Sequence, residues 1–299
     1  MKIGLIGLGG IAQKAYLPVF ASRENTELVL CTRNQSTLES MAAKYRVKEY
    51  TRSIDELIGS GIEAAFVHTA TEAHKEIAEK LLNNGVHVYV DKPLSYSLYE
   101  AQSLAELSKR VNKTLMVGFN RRFAPMFRSL KYENAADVIV MEKNRTYEPG
   151  EARNFIFDDF IHVVDTLRFL MGDNHNDMRV NGLIKEDKLH NVVLTLSNNQ
   201  TTAIGIMNRD AGITEETVEY MTAGKKLRVE NLTHTKVYSD DKESHKHFKD
   251  WDPVLYRRGF YQVVDEFITS IEEGREPSIS IEDSLITHEI CEEMVRKLL

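Results

Sequence analysis

"KIGLIGLGGIA", residues 2–12, decides how the first half of the chain is read. KIGLI is an apolar run of strand length, and the following GLGGIA fits the pattern G-x-G-x-x-G/A. Gly7 permits a tight turn, Gly9 lets backbone approach a pyrophosphate, and Ala12 is small enough for a helix to pack on the sheet. A helix opening here turns unpaired N–H groups and positive partial charge toward phosphates. Strand, glycine turn and helix start together predict a dinucleotide site at Gly7, Gly9, Gly10, Ile11 and Ala12. A methyltransferase on a similar sheet is a competing reading, and it would bind S-adenosylmethionine without needing Arg33.

Outward from that motif, apolar runs at 28–31, 64–69, 86–90 and 114–118 read as strands buried on both faces. Helical segments fall between them, near 10–21, 36–44, 53–59, 72–84 and 97–111, and Ser53 with Glu56 has capping-box spacing. Such alternation predicts an α/β chain whose residues 1–120 form a Rossmann dinucleotide-binding domain with a doubly wound parallel sheet. The rhythm changes after Phe123. A helix near 124–132 precedes strand-like runs at 137–145, 190–197, 201–208 and 217–223, with hairpin turns at SNNQ (197–200) and AGKK (223–226). One helix is inserted at about 157–171, and two more, near 254–273 and 282–298, close the chain. Residues 121–299 are therefore expected to form an α+β substrate-binding and oligomerisation domain on a mostly antiparallel sheet. The charged stretch 239–253 reads as a solvated loop, so His245 and His247 are assigned no metal.

The chain has 299 residues, 42% hydrophobic and 28% charged, which suits two globular domains. A net charge of −7 argues against non-specific binding to nucleic acid or an anionic membrane. Cys31 and Cys291 are far apart, outside metal-ligand spacing, and read as free thiols in a reducing compartment. The first residues lack the pattern of a secretory signal, and no run approaches the ~18 apolar residues of a membrane span. A cytoplasmic protein is expected.

The end of the second strand bears on which dinucleotide is bound. NAD-binding chains usually place an acid there for the ribose 2′-hydroxyl. Here CTRNQST, 31–37, has no carboxylate before Glu39. Thr32 and Asn34 can donate hydrogen bonds and Arg33 can pair with a 2′-phosphate, so NADP(H) is favoured and NAD(H) is the other option. A second polar cluster lies in DDFIHVVDTLRFL, 158–170, where helical spacing brings Asp158, His162 and Asp165 within an arc of about 60°. A wet polar stripe reads from the same spacing, and a metal there lacks a third ligand. Finally, YVDKPLS, 89–95, puts Lys92 at the end of a buried strand, with Pro93 fixing the turn behind it.

Taken together, GLGGIA, HTATEAH (68–74), VYVDKPLS (88–95), VGFNRRF (117–123) and DDFIHVVD (158–165) resemble the Gfo/Idh/MocA family of NAD(P)-dependent oxidoreductases. The closing FYQVVDEFITSI (260–271) and PSISIEDSL (277–285) resemble it too. The resemblance implies action on sugars, polyols and related derivatives, with Lys92, Asp158 and His162 as the catalytic constellation. It also implies that Thr69, Ala70, Thr71, His74, Asp91, Lys92 and Asn120 line the cofactor, and that the second sheet makes dimer or tetramer contacts. Asp91 stands where glutamate is commoner, and ARNFIF (152–157) replaces the usual glycine-rich lead. Arg145, Arg153 and Arg209 surround that region in sequence, so an anionic substrate is a further expectation.

Oxidising an alcohol requires proton removal as well as hydride transfer. An unperturbed lysine is neutral in about one molecule in 2,500 at pH 7, so its use as base costs roughly 4.6 kcal/mol. A positioned base returns about 3–5 kcal/mol, most of which that cost would cancel. A histidine already titrates near neutrality. His162 is thus the expected proton acceptor and donor, charged Lys92 the stabiliser of developing alkoxide, and Asp158 the group that orients them. A cofactor-bound sensor without turnover is the alternative function.

Overall fold

The computed structural model describes residues 1–172 and 175–299. It divides into two compact units, one of residues 1–118 with 263–286, the other of 119–262 with 287–299. That division differs from a single cut at residue 120. The segment 263–286 lies far along the chain yet packs with the first unit.

The first unit is built on β1 (Lys2–Ile6), β2 (Glu27–Cys31), β3 (Glu49–Thr51), β4 (Ala64–Val67), β5 (His87–Val90) and β6 (Leu115–Val117). All pairs are parallel and the order is β3-β2-β1-β4-β5-β6, which reverses direction between β1 and β4. This is the doubly wound order, whose switch point is where such sheets bind ligands. Between the strands run α1 (Leu17–Ala21), α2 (Gln35–Tyr45), α3 (Ile54–Gly59), α4 (His74–Asn83) and α5 (Leu98–Arg110). Every residue of β4 is buried, as expected for a strand covered on both faces. Phe66 on β4 stacks on Tyr89 at 4.6 Å and meets Phe20 and Phe267 edge-on at 4.9 and 5.1 Å. The edge strand β3 was not expected. Its Glu49 and Tyr50 are exposed, so it carries no apolar run to read.

The second unit holds β7 (Val138–Asn144), β8 (Asp177–Lys185), β9 (Lys188–Ser197), β10 (Thr202–Asn208), β11 (Glu215–Thr222), β12 (Lys225–Glu230), β13 (His234–Ser239) and β14 (Lys242–His247). Their order is β14-β13-β12-β11-β7-β10-β9-β8, antiparallel except for the β7–β10 pair. Its helices are α6 (Pro125–Arg128), α7 (Ala152–Phe155), α8 (Ile161–Met171) and α9 (Val254–Arg257), with parts of α10 (Phe260–Glu272) and α11 (Ile281–Leu298). Helix α8 packs on β7 and β10. Gly205 on β10 permits that approach, since a Cβ there would lie 2.7 Å from Val163 and 3.0 Å from Leu167. The expected loop at 239–253 is in part a strand: Lys242–His247 forms β14, the sheet edge. Its six residues are all exposed, which hid it from a reading based on apolar alternation. Among the described residues, no helix is long and apolar enough to cross a membrane.

Candidate active site

Parallel pairing aligns the tips of the first sheet. Gly7 N–H donates to Cys31 O at 2.9 Å, His68 N–H to Ile6 O at 2.8 Å, Asp91 N–H to Val67 O at 3.0 Å and Gly118 N–H to Val90 O at 2.8 Å. The motif glycines, Thr32–Asn34, Thr69–Thr71, Asp91 and Lys92 all follow the carboxyl ends of these strands. Gly7 has φ +85°, and a Cβ there would collide with the His68 and Thr69 backbone at 2.7 Å. Gly9 and Gly10 are different, because a Cβ at either would meet nothing within 4 Å. The chain then enters a π-helical turn, Ala12–Tyr16, with Ala12 fully buried and Ile11 39% exposed.

Lys92 is pinned from both sides. Its N–H donates to Asp91 Oδ1 at 2.9 Å, and behind it Pro93 O receives His74 Nδ1 at 2.8 Å. The Lys92–Pro93 peptide is cis. His74 Nε2 also lies 3.1 Å from Thr69 O; burial favours the neutral ring, which has one N–H for the two carbonyls, so it packs between the two loops and hydrogen-bonds one of them at a time. Burial works to raise the Asp91 carboxyl, but His68 and then Lys92 overcome it and hold it below its ordinary value. The His68 Nδ1 to Asp91 Oδ2 separation is 3.7 Å, longer than a hydrogen bond, so we attribute the effect mainly to charge and polarity. Tyr16 lies over His68 at 3.8 Å between centroids and shares a 2.7 Å hydroxyl contact with Tyr89.

At the tip of β2, Arg33 is exposed and its guanidinium has no partner among the described residues. Arg52, which sequence reading missed, donates from Nε to Arg33 O at 3.1 Å and so sits beside it. Asn34 turns out to be the N-cap of α2: its Oδ1 accepts from Thr37 N–H at 3.0 Å and from Ser36 Oγ at 2.9 Å. Only its amide nitrogen is left for a ligand.

In the second unit the helix carrying Asp158 and His162 is not regular. Ile156–Phe160 forms a π-helical turn between α7 and α8, which breaks the even 100° spacing assumed from sequence. Asp158 is half-buried and His162 is 8% exposed. Asp165, expected on the same polar stripe, is fully buried and takes Arg122 through contacts of 2.6 and 3.0 Å, with Thr287 Oγ1 at 3.2 Å. The stripe is therefore not wet. Asn120 donates its amide to Arg258 O at 2.8 Å.

Two residues that sequence reading passed over dominate the charge here. Asp159 accepts Lys143 Nζ at 2.5 Å and Arg145 Nε at 2.8 Å. Burial works to raise the Asp159 carboxyl, but Lys143 and Arg145 outweigh it and hold it well below its ordinary value. Burial first, and then repulsion from Arg121 and Arg145, pushes Lys143 down to about 8 against the pull of Asp159 and Glu216. Arg121 in turn makes a bidentate pair with Glu216 at 2.6 and 2.8 Å. A signal for Lys143 existed: period two along β7 puts 139, 141 and 143 on the core face. The arginines expected to receive an anionic substrate are committed elsewhere. Arg145 pairs with Asp159, Arg153 with Glu292 at 2.6 Å, and Arg209 with Glu148 at 3.3 Å.

The first unit's residues fit a dinucleotide. Gly9 and Gly10 leave backbone open for a pyrophosphate. The buried Thr69 Oγ1, at the switch point, has no hydrogen-bond partner among the described residues. The comparisons agree with that geometry. Residues 1–119 match the family model described as "Oxidoreductase family, NAD-binding Rossmann fold", and 125–240 match "YceM-like, C-terminal domain". A Gfo/Idh/MocA family oxidoreductase from Vibrio cholerae is 34% identical, with 99% of each chain covered and a TM-score of 0.94. A dehydrogenase (MviM) from Clostridium difficile is also 34% identical, covering 100% of this chain and 99% of that one, with a TM-score of 0.95. A myo-inositol 2-dehydrogenase from Thermotoga maritima is 23% identical across 95% of this chain and 92% of its own. With a family member matched from end to end at this level, the chain belongs to the Gfo/Idh/MocA family of oxidoreductases.

Proposed function

We propose that this oxidoreductase transfers a hydride between NADP(H) and a hydroxyl or carbonyl carbon of a sugar, polyol or related derivative. The substrate class rests on its relation to the Thermotoga maritima myo-inositol 2-dehydrogenase. The cofactor preference rests on one observation: the exposed Arg33 guanidinium, unpartnered among the described residues, with Arg52 bonded to the Arg33 backbone carbonyl and no carboxylate before Glu39. Two guanidiniums suit a 2′-phosphate dianion through charge-assisted bonds, and a bare 2′-hydroxyl offers them only a weaker neutral acceptor.

When bound, the nicotinamide supplies the hydride acceptor or donor. His162 takes the hydroxyl proton during oxidation and returns it during reduction. Lys92, held between the Asp91 and Pro93 anchors, donates hydrogen bonds to the developing alkoxide. Asp158 orients the groups that move the proton. The reading includes a homodimer or homotetramer assembled through the open face of the second sheet, where Val140, Val193, Ile204 and Ile206 are half-buried in the single chain.

Fluorescence titration with NADPH and NADH tests the cofactor choice. NADPH should bind at least tenfold more tightly, and Arg33→Ala with Arg52→Ala should remove the difference. Equal affinity in the unmodified protein would refute the 2′-phosphate argument. Lys92→Ala should lose at least tenfold more in turnover than in NADPH affinity. Equal losses would make Lys92 a cofactor contact. NADPH binding without turnover on any sugar or polyol would favour the sensor.

A further inference from the structure

Strands β13 and β14 are joined by the two-residue turn Asp240–Asp241, with φ of 52° and 56°. That left-handed pair is the hairpin geometry which fixes register. It sets Ser239 opposite Lys242, Lys236 opposite His245 and His234 opposite His247. Because alternate residues share a face, His245 and His247 point to the side on which His234 lies. Ring centroids are 5.0 Å apart for His234 and His245, 4.5 Å for His234 and His247, and 5.9 Å for His245 and His247. One ring nitrogen from each lies within 4.8 Å of the others.

We propose that His234, His245 and His247 form a binding site for one divalent late transition-metal ion, of which Zn²⁺ is the type. The argument rests on where the nitrogens point. His234 Nε2 and His245 Nδ1 face each other at 2.8 Å. On their far sides, His245 Nε2 lies 2.9 Å from Glu243 Oε1, and His234 Nδ1 lies 3.6 Å from Glu230 Oε2. Suppose both imidazoles are neutral. His245 then donates from Nε2 to Glu243, His234 donates from Nε2 to His245, and the bare Nδ1 of His234 is left facing a carboxylate. A metal ion between the rings removes that conflict. Both inner nitrogens then offer lone pairs to the ion, the outer N–H of His245 donates to Glu243, the usual support for metal-bound histidine, and the outer N–H of His234 faces Glu230 at 3.6 Å.

Zn–N bonds of about 2.0–2.1 Å require tetrahedral ligands roughly 3.3 Å apart, so the inner pair opens by about half an ångström and His247 swings inward. The His245 and His247 side chains are exposed and can rotate to do so. Three imidazoles select zinc, nickel or copper over magnesium or calcium. The neighbouring cations do not oppose the ion strongly, since Lys236 and Arg228 are both paired with Glu230 at 3.2 Å. The ion ties the exposed edge strand β14 to β13. It plays no part in hydride transfer.

The test is calorimetric titration of the full chain, first stripped with chelator, with ZnCl₂. One Zn²⁺ per chain should bind at micromolar concentration. His245→Ala and His247→Ala should each weaken it by more than about tenfold, and Glu243→Gln by about tenfold. Cobalt substitution should give visible bands of a nitrogen-ligated ion that disappear in His245→Gln, a variant that keeps the strand polar. Turnover of the stripped and zinc-loaded protein should be the same. No uptake at millimolar Zn²⁺, or uptake that survives all three substitutions, would overturn the proposal.

Discussion

Replacing Asp159 by asparagine keeps the side chain's shape and removes its charge from beneath Lys143, whose side chain is 1% exposed. The outcome depends on an escape route: without its partner, Lys143 can fold neutral. In the native protein it already titrates at about 8, against 10.5 in the unfolded chain. Removing the charge therefore costs, through this lysine, at most the work of deprotonating it from that folded state. At about 1.4 kcal/mol per unit, this is about 1 kcal/mol at pH 7, about 4 kcal/mol at pH 5 and nothing above pH 8. Arg145 keeps one neutral acceptor, the asparagine oxygen, and loses its charged bidentate partner, which adds about 1–3 kcal/mol at every pH, discounted because Arg145 is 29% exposed. The same shift has a definite sign in the native protein. A folded pKa below the unfolded one means that the unfolded chain binds more protons between pH 8 and 10.5, so Lys143 contributes rising stability across that window. Urea unfolding of both proteins by circular dichroism at pH 5, 7 and 9 gives the difference directly. A gap of up to about 5–7 kcal/mol at pH 5 should shrink to about 1–3 kcal/mol at pH 9. A gap that does not change with pH would refute the escape through Lys143.

Other outcomes follow from single positions. Gly7→Ala should lower the melting temperature and abolish NADPH binding, because its Cβ meets backbone at 2.7 Å with φ +85°. Gly9→Ala, with open space around it, should leave the melting temperature unchanged and weaken NADPH alone; a comparable loss of stability would show that Gly9 is structural. Asn34→Ala should cost about 1 kcal/mol in urea unfolding, the usual loss for an N-cap, and no change would remove the cap. Burial pushes the Cys31 thiol up to about 11 and Cys291 well above its ordinary value, so neither should react with Ellman's reagent at pH 8 until the chain unfolds. Rapid labelling of the native protein would contradict that.

The elements legible in the sequence share a physical character. The strands buried on both faces, β1, β2, β4, β5 and β6, announce themselves as apolar runs, and the glycine turn after β1 gives the sheet its ligand edge. What stayed hidden is either polar or remote. β3 and β14 are edge strands whose exposed side chains follow no hydrophobic period. Arg121 finds Glu216 95 residues away and Arg122 finds Asp165 43 residues away, distances over which a single sequence carries no pairing signal. The π-helical turn at Ile156–Phe160 inserts its extra residue where a helical wheel assumes none, which is why Asp159 was passed over. Arg33 and Asn34 show the limit differently: the residue types were read, but only geometry reveals that Asn34 is already occupied as a cap.

The membership of 263–286 in the first unit bears on how the chain is made. Phe267 packs edge-on against Phe66 and Tyr89, at 5.1 and 5.6 Å, in the centre of a sheet whose last strand ends at Val117. Synthesised at about 5–20 residues per second, the chain leaves all six strands of that sheet without this aromatic partner for roughly 7–30 seconds. Cores normally close domain by domain from the amino end, but this one waits for a side chain from the far end of translation. Its apolar strands spend that interval without Phe267, and a ribosome that stalls in the second sheet leaves the first one unfinished.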